Sequence, residues 1–514
     1  MNKTFVTLVL VFSALLIGCS SEDRDDAIIN IPDDTTASTT TTSTTTPTPT
    51  PTEPVANIAI NDYIWKGMNQ YYYWQEDVQD LADSKTDNTT EYNAFLGEIV
   101  DPSDFFDSLN HADDRFSWIE ENYVDLENQL AGISASNGMK FYVTRQCANC
   151  NDLVAVVTYV LPESDAAAKG LERGDLITTI NGRTLNVDNY VEYLYGSLMT
   201  ITVGLAEYNT ESQSFVSTAE NIILDKVENF QENPIHKNVV IEQGDRRVGY
   251  LMYNQFVSGF DDQLIQTFSD FESQNITDLV LDLRYNGGGS VRSCAYLASM
   301  ITGQFTDEIF AQQIWNSKLM AYFNNINNNA DPDDDFELNN YFSNATVDGS
   351  SLPSLNLTNL YVLTTNRSAS ASELLINGLA PHINVIQIGG TTVGKNVGSI
   401  SVYDYIDNNG TKNPNHTYAM QPIVLKIANS VGFADYTEGL IPDVAQVESS
   451  TNLGILGDPT EPFLATALNQ ISGSGKYTIP EGDDAIPMKD PIFESTNGMH
   501  IEFPQQKIKQ LFKK

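Results

Sequence analysis

The 514-residue chain has few cysteines (four), few histidines (five) and few basic residues: 27 Lys and Arg stand against 68 Asp and Glu, a formal net charge of -41. Nucleic-acid affinity is carried largely by Lys and Arg displacing counterions from phosphates, so a nucleic-acid partner is excluded. Four Cys cannot build a disulfide scaffold of this size, and five scattered His leave little material for a multi-His centre; no metal and no other cofactor is expected. Long apolar runs are scarce as well. One stands out, Phe5 to Ile17, and it is too short for a membrane span. What is present is 41% hydrophobic and 10% aromatic residues, enough for a sizeable core, and a length that predicts roughly two to four domains.

Residues 1–19 place one basic residue, Lys3, before that run and end in Leu16-Ile17-Gly18-Cys19. They read as a secretory signal, with an ordinary buried apolar segment as the alternative. The tetrapeptide resembles the bacterial lipobox, which implies lipidation of Cys19 and a lipid bilayer as a partner. The acidic cluster Glu22, Asp23, Asp25 and Asp26 resembles the surface-export signal of Bacteroidetes lipoproteins. The expected location is the bacterial cell envelope, anchored to the outer membrane, with an outward or inward face left open. Residues 20–55 form a tether: between Thr35 and Thr52 twelve of eighteen residues are Thr, a composition that cannot bury enough apolar area to offset ordering entropy.

Residues 56–127 carry Tyr63, Trp65, Tyr71, Tyr72, Tyr73, Trp74, Phe95, Phe105 and Phe106 at spacings that suit short amphipathic helices, an aromatic stripe that reads as packing ahead of a binding box. In residues 128–230, strand-like runs at 141–144 and 153–160 flank Cys147-Ala148-Asn149-Cys150. After them come a short helix from Asp165, a Gly170 stop, a Gly174-Asp175 turn, a strand and an Asn181-Gly182 turn. That succession resembles the PDZ domain, which implies capture of a peptide C-terminus as an added strand, with a carboxylate loop at Ala131, Gly132 and Ile133. Cys147 and Cys150 admit three readings: a loop disulfide, favoured in an exported domain, a redox pair, or half of a zinc site. Cys294 is left as a buried thiol.

From 236 to 470 strands alternate with helices, at 248–252, 261–271, 279–283, 360–364 and 385–388, which predicts a largely parallel, buried sheet. An Asn/Asp-rich insertion at about 307–353, with its run from Asp331 to Asp335, reads as a solvated surface excursion, a calcium loop being the alternative. Residues 471–514 are a C-terminal extension. The fold class expected is α+β multidomain.

The chemistry concentrates in Ser368-Ala369-Ser370-Ala371-Ser372-Glu373, where a strand turns into a helix. A Ser there sits at a helix N-terminus, whose N–H groups favour the charge of an acyl-transfer intermediate; equally, Ser370 and Glu373 form a Ser-x-x-Glu capping box. None of the five His lies in a motif that would orient it toward a Ser. Lys395, however, is the only charged residue between Ile383 and Tyr403. It is a surface turn residue or a desolvated amine, and to serve as a base its pKa must fall from about 10.4 to about 7, roughly 4 to 5 kcal/mol.

Ser-Ala-Ser-Ala-Ser-Glu with Gly394-Lys395 25 residues past Ser370 resembles the C-terminal processing (tail-specific) peptidases. So do the turn from Asp282 through Arg284 and Asn286 to Gly288, the segment Glu438-Gly439-Leu440-Ile441-Pro442-Asp443, and Asp114-Arg115-Phe116-Ser117 ahead of the PDZ-like region. The resemblance covers about 57–470. It implies a ClpP/crotonase-like core, Ser370 as nucleophile, Lys395 as general base, and the N–H groups of Ala371 and Gly288 as oxyanion hole. Many members orient the Lys with a Gln four residues on; here that place is Ser399. The implied function is a serine endopeptidase for exported polypeptides with free C-termini. The alternative is a noncatalytic peptide-binding lipoprotein with an inactive core; a glycan-associated surface protein is a third possibility, without a motif of its own.

Overall fold

The computed structural model describes residues 57–329, 335–407, 409–473, 478, 488, 490 and 498–502. Cys19 with its signal segment, the tether, most of the Asp331–Asp335 run and most of the extension lie outside the described residues.

The first helix, Ile58–Tyr71, is started by Asn57, whose side chain accepts the Ile60 N–H. Its stripe of Ile60, Ile64, Met68 and Tyr71 recurs every three to four residues, as one buried face of a helix requires. Helices Thr89–Leu96 and Pro102–Ser108 pack on it, capped by Asn88 and Asp101. These residues do not build a separate core: Ile64, Trp65, Phe105 and Phe106 belong to the same buried cluster as Leu264, Leu281 and Leu374 further along the chain. The strand Trp118–Glu120 then pairs antiparallel with Ala419–Gln421.

The next module has its own core. Its sheet has six antiparallel strands: five run in the order Met139–Arg145, Leu153–Val160, Leu176–Ile180, Thr200–Asn209, Ser214–Asp225, and Arg183–Thr184 pairs with Leu176–Ile180. The helix Asp165–Ala168, capped by Ser164, sits at the turn the sequence predicts. The run 153–160 is apolar apart from Thr158 because both faces are covered: Leu153, Ala155 and Val157 face the module's core, while Val154 and Val156 pack with Leu453. Cys147 and Cys150 form a disulfide at the tip of the hairpin.

The central layer is a six-stranded sheet in the order Ile235–Gln243, Arg246–Tyr253, Asp278–Asp282, Asn359–Thr364, Asn384–Gly389, Val444–Ala445. The first pairing is antiparallel and the other four are parallel. Every residue of Asp278–Asp282 is buried, so this strand shows no alternation. A second sheet joins Asn339–Tyr341, Ile309–Trp315, Ile423–Asn429, Val397–Ser399 and Met499–His500.

The insertion corrects the expectation of a solvated excursion. It forms the strand Ile309–Trp315 and the helix Ser317–Asn329, and buries Phe310, Trp315, Leu319, Phe323, Phe336 and Phe342 in the main core. The Asn and Asp residues that dominate its composition lie between these widely spaced anchors, so composition concealed the apolar set.

Candidate active site

The strand Asn359–Thr364 ends at the turn that leads into the helix Ala371–Leu379. At the junction Ser370 is fully buried and holds φ 61° and ψ -111°, a strained conformation for a residue with a Cβ. Its N–H donates to Glu373 Oε2 at 2.7 Å, while its Oγ is buried and has no hydrogen-bond partner. Ala371 occupies the first helical position, where the N–H has no intrahelical acceptor.

The glycine turn after Asp278–Asp282 closes against this junction. A Cβ on Gly288, whose φ is +112°, would stand 2.7 Å from Ser370 Cβ and 3.0 Å from the Ala371 nitrogen, so only glycine fits. The structure thus brings Gly288 to Ser370 and Ala371, but the Gly288 N–H is donated to Asn286 Oδ1 at 2.8 Å. Asn286 is itself fixed, its amide donating to Tyr253 O and its carbonyl accepting from Ala369 N–H and the Ser372 hydroxyl.

Beneath the turn lies a buried ionic cluster. Arg284, fully buried, pairs with Asp282, with Glu461 at 2.8 Å and with Glu448 at 3.0 Å. Arg173, from the antiparallel module, reaches Glu448 at 3.2 Å and donates to the Tyr285 hydroxyl at 2.9 Å.

Lys395 is 4% exposed. Burial is the largest influence on its amine and lowers the pKa to about 8; Asp114 and Glu373 push it back up and Arg115 pushes it down. The pocket is therefore not carboxylate-free, and desolvation outweighs two nearby acids. The Phe116 ring lies 4.7 Å from Lys395 Nζ, and Arg115 donates to Gly394 O and Thr437 O, so the Asp114–Ser117 segment lids the lysine loop. The Glu438–Asp443 segment braces the loop's other side, with Leu440 N–H donating to Thr392 Oγ1 and Asp443 accepting the Gln387 N–H.

One residue joins the two halves. Glu373 Oε2 accepts from Ser370 N–H and, at 2.8 Å, from Lys395 N–H, while Oε1 accepts from Gly394 N–H at 2.6 Å and from the Thr392 hydroxyl. Ser399 follows the lysine on the strand Val397–Ser399, and its hydroxyl donates to Gln421 Oε1 at 2.7 Å. Its proton is thus committed to Gln421, whose amide donates in turn to Ser401. Cys294, buried, points its Sγ at Ala371 O, 3.2 Å away.

Ala131, Gly132 and Ile133 lie outside the antiparallel module's six-stranded sheet. Gly132 O accepts the Glu232 N–H, and Ile133–Ser136 pairs with Val227–Gln231 as a separate ribbon. Leu130 and Ala131 line a cleft of about 490 Å³ with Val257, Ser401, Tyr403 and Ile501. Among the described residues no group of three or more His, Cys, Asp or Glu is arranged to hold a metal, and no helix is long and apolar enough to cross a membrane.

A strained Ser at a strand-to-helix turn, a buried amine on the neighbouring loop and a separate antiparallel module make up the arrangement to be compared with known proteins. Residues 247–422 match peptidase family S41, residues 59–118 match the peptidase S41 N-terminal domain, and residues 156–203 match a PDZ domain. Along the chain the three matches follow in the order N-terminal domain, PDZ domain, peptidase. A carboxyl-terminal-processing protease of Picosynechococcus sp. is 23% identical over 358 residues, 68% of this chain and 74% of the relative. In fold, the chain is similar to the crystal structure of a Bacteroides fragilis protein assigned to the S41 proteases, with a TM-score of 0.63 at 24% identity, over 80% of this chain and 98% of that one.

In the sequence Glu373 reads only as a cap, and Arg115, Phe116 and Gln421 carry no individual role. The signal available for Glu373 was its place three residues after Ser370.

Proposed function

We propose that this protein is a serine endopeptidase of the C-terminal processing type, in which Ser370 is the nucleophile and Lys395 the general base. The observation that carries the reading is that Ser370, strained at a helix N-terminus, and Lys395, buried with a lowered pKa, are held by one carboxylate, Glu373. Neutral Lys395 takes the Ser370 proton as Oγ attacks the scissile carbonyl carbon. The C–N bond breaks, the lysine ammonium returns the proton to the leaving amine, and water deprotonated by Lys395 hydrolyses the acyl-enzyme. Ala371 N–H faces the oxyanion; Gly288 N–H joins it once released from Asn286. The substrates are exported polypeptides whose free C-termini engage the PDZ domain, and a lipid on Cys19 holds the enzyme at the outer membrane.

The test is incubation of a soluble form starting near Val55 with an unstructured protein. Cleavage by the wild type and none by Ser370→Ala is expected; equal cleavage by both removes Ser370 from the mechanism. The noncatalytic peptide-binding reading is favoured by one observation, the Gly288 N–H turned to Asn286, and it requires that neither chain cleaves. The base works only when neutral. Below about pH 8, kcat/KM should therefore fall about tenfold per pH unit, with a plateau above. A profile flat from pH 6 to 9 would assign the base elsewhere.

A further inference from the structure

The described residues near the C-terminus run through the active site. A Cβ built on Gly498 would lie 2.3 Å from Lys395 Nζ and 3.3 Å from its Cε, so the tail backbone lies directly against the amine. Met499 and His500 then pair in parallel with Gly398 and Ser399, on the strand that follows the lysine. His500 N–H donates to Gly289 O at 3.1 Å and Ile501 N–H to Ser399 O at 3.1 Å. The short strand thus bridges the two walls of the site, the glycine turn and the lysine strand, and engages backbone groups that an extended polypeptide would use on entering.

Side chains anchor it on both sides. Met499 is fully buried in the main core. Glu502 accepts from Ser258 Oγ at 2.6 Å and pairs with Arg292 at 2.6 Å. Upstream, Met488 N–H donates to Val143 O on the PDZ sheet, and Asp490 pairs with Arg367, three residues before Ser370. Meanwhile Ser370 Oγ has no hydrogen-bond partner, so the nucleophile and the amine are not joined while the strand is in place.

We propose that Gly498–Glu502 is an autoinhibitory strand: the chain's own tail fills the substrate groove, and a polypeptide is cleaved only after displacing it. The proposal rests on Ser370 and Lys395 being the catalytic pair. It also specifies the groove's preference, a residue without a side chain beside the amine followed by a large apolar one, as in Gly498-Met499. A covalently tethered competitor acts at an effective concentration in the millimolar range, which gives even a weakly binding segment strong control.

The test uses a fluorescein-labelled peptide of residues 491–505 and full-length Ser370→Ala protein, compared with the same protein ending at Asn497. Anisotropy should show binding to the shortened chain and at least tenfold weaker binding to the full one. With Ser370 restored, the chain ending at Asn497 should cleave at least tenfold faster than the full chain, whereas a chain ending at Glu502 should match the full chain. Equal peptide binding by both chains, or none by a shortened chain that melts like the full one, overturns the proposal. If the shortened chain does not fold, His500→Pro in the full chain, which removes the bond to Gly289 O, should release the strand. Activity and peptide binding unchanged in that variant overturn the proposal equally. Should no variant cleave anything while the binding contrast persists, it is the catalytic assignment that fails and the occupied groove that stands.

Discussion

Lys395→Ala and Lys395→Met should each lower kcat/KM by about 10⁴, in line with the loss of a general base from a Ser-based catalytic unit, and the Ser370→Ala/Lys395→Ala double variant should be no worse than either single one. The two substitutions separate chemistry from packing. Alanine leaves a cavity under the Phe116 ring, which stands 4.7 Å from the amine; methionine fills it. The amine's pKa falls from 10.5 to about 8 on folding. Below pH 8 the folded chain must therefore bury a charge, at a cost of about 3 kcal/mol. Between about pH 8 and 10.5 the unfolded chain holds a proton that the folded chain lacks, so the wild type gains stability as pH rises through that window. Lys395→Met, with nothing to titrate, should be more stable than the wild type at pH 7 in urea denaturation and should lack that rise. A methionine variant retaining more than a tenth of wild-type kcat/KM would remove Lys395 from the chemistry.

Ser370 and Lys395 were legible as candidates because each stands out against its local sequence: Ser370 in a small-residue run at a strand-to-helix junction, Lys395 alone in an uncharged window. The PDZ strands and the hairpin disulfide were legible because turn residues and apolar runs punctuate them at short range. What was not legible depends on long-range pairing. Phe116 meets Lys395 across nearly 280 residues of chain, and no local pattern announces that an aromatic from the N-terminal domain will lid the amine. The insertion misled for a different reason: the average over an Asn-rich stretch hides six buried aromatic and aliphatic side chains, each held by the main core rather than by its neighbours in sequence. Gly288 was placed against Ser370 by motif, but the orientation of its N–H follows from the Asn286 side chain, two residues away, which sequence could not aim. The tail strand in the groove was invisible for the same reason as Phe116, since a two-residue strand has no periodicity to detect.

Glu373→Gln should lower kcat about 10²- to 10³-fold with KM little changed, because hydrogen bonds to a charged group contribute about 1.5–3 kcal/mol each and the neutral amide cannot replace them. The wild-type carboxylate is fully buried and turns both oxygens toward donors: Oε2 toward the N–H groups of Ser370 and Lys395, Oε1 toward Gly394 N–H and the Thr392 hydroxyl. Glutamine keeps the shape but points an NH₂ at one of these pairs, so either the helix junction or the lysine loop must shift. Burial raises the Glu373 pKa above the ordinary carboxylate value, and the same bonds that hold Ser370 and Lys395 act against that rise. A helix cap alone would cost about 1 kcal/mol and leave the pH profile alone. A residue that positions the pair should do more. The Glu373 charge raises the Lys395 pKa, so removing it should move the acid limb of kcat/KM to lower pH while the plateau rate falls. Glu373→Gln within threefold of wild-type kcat, with the limb unmoved, would reduce the residue to a helix cap.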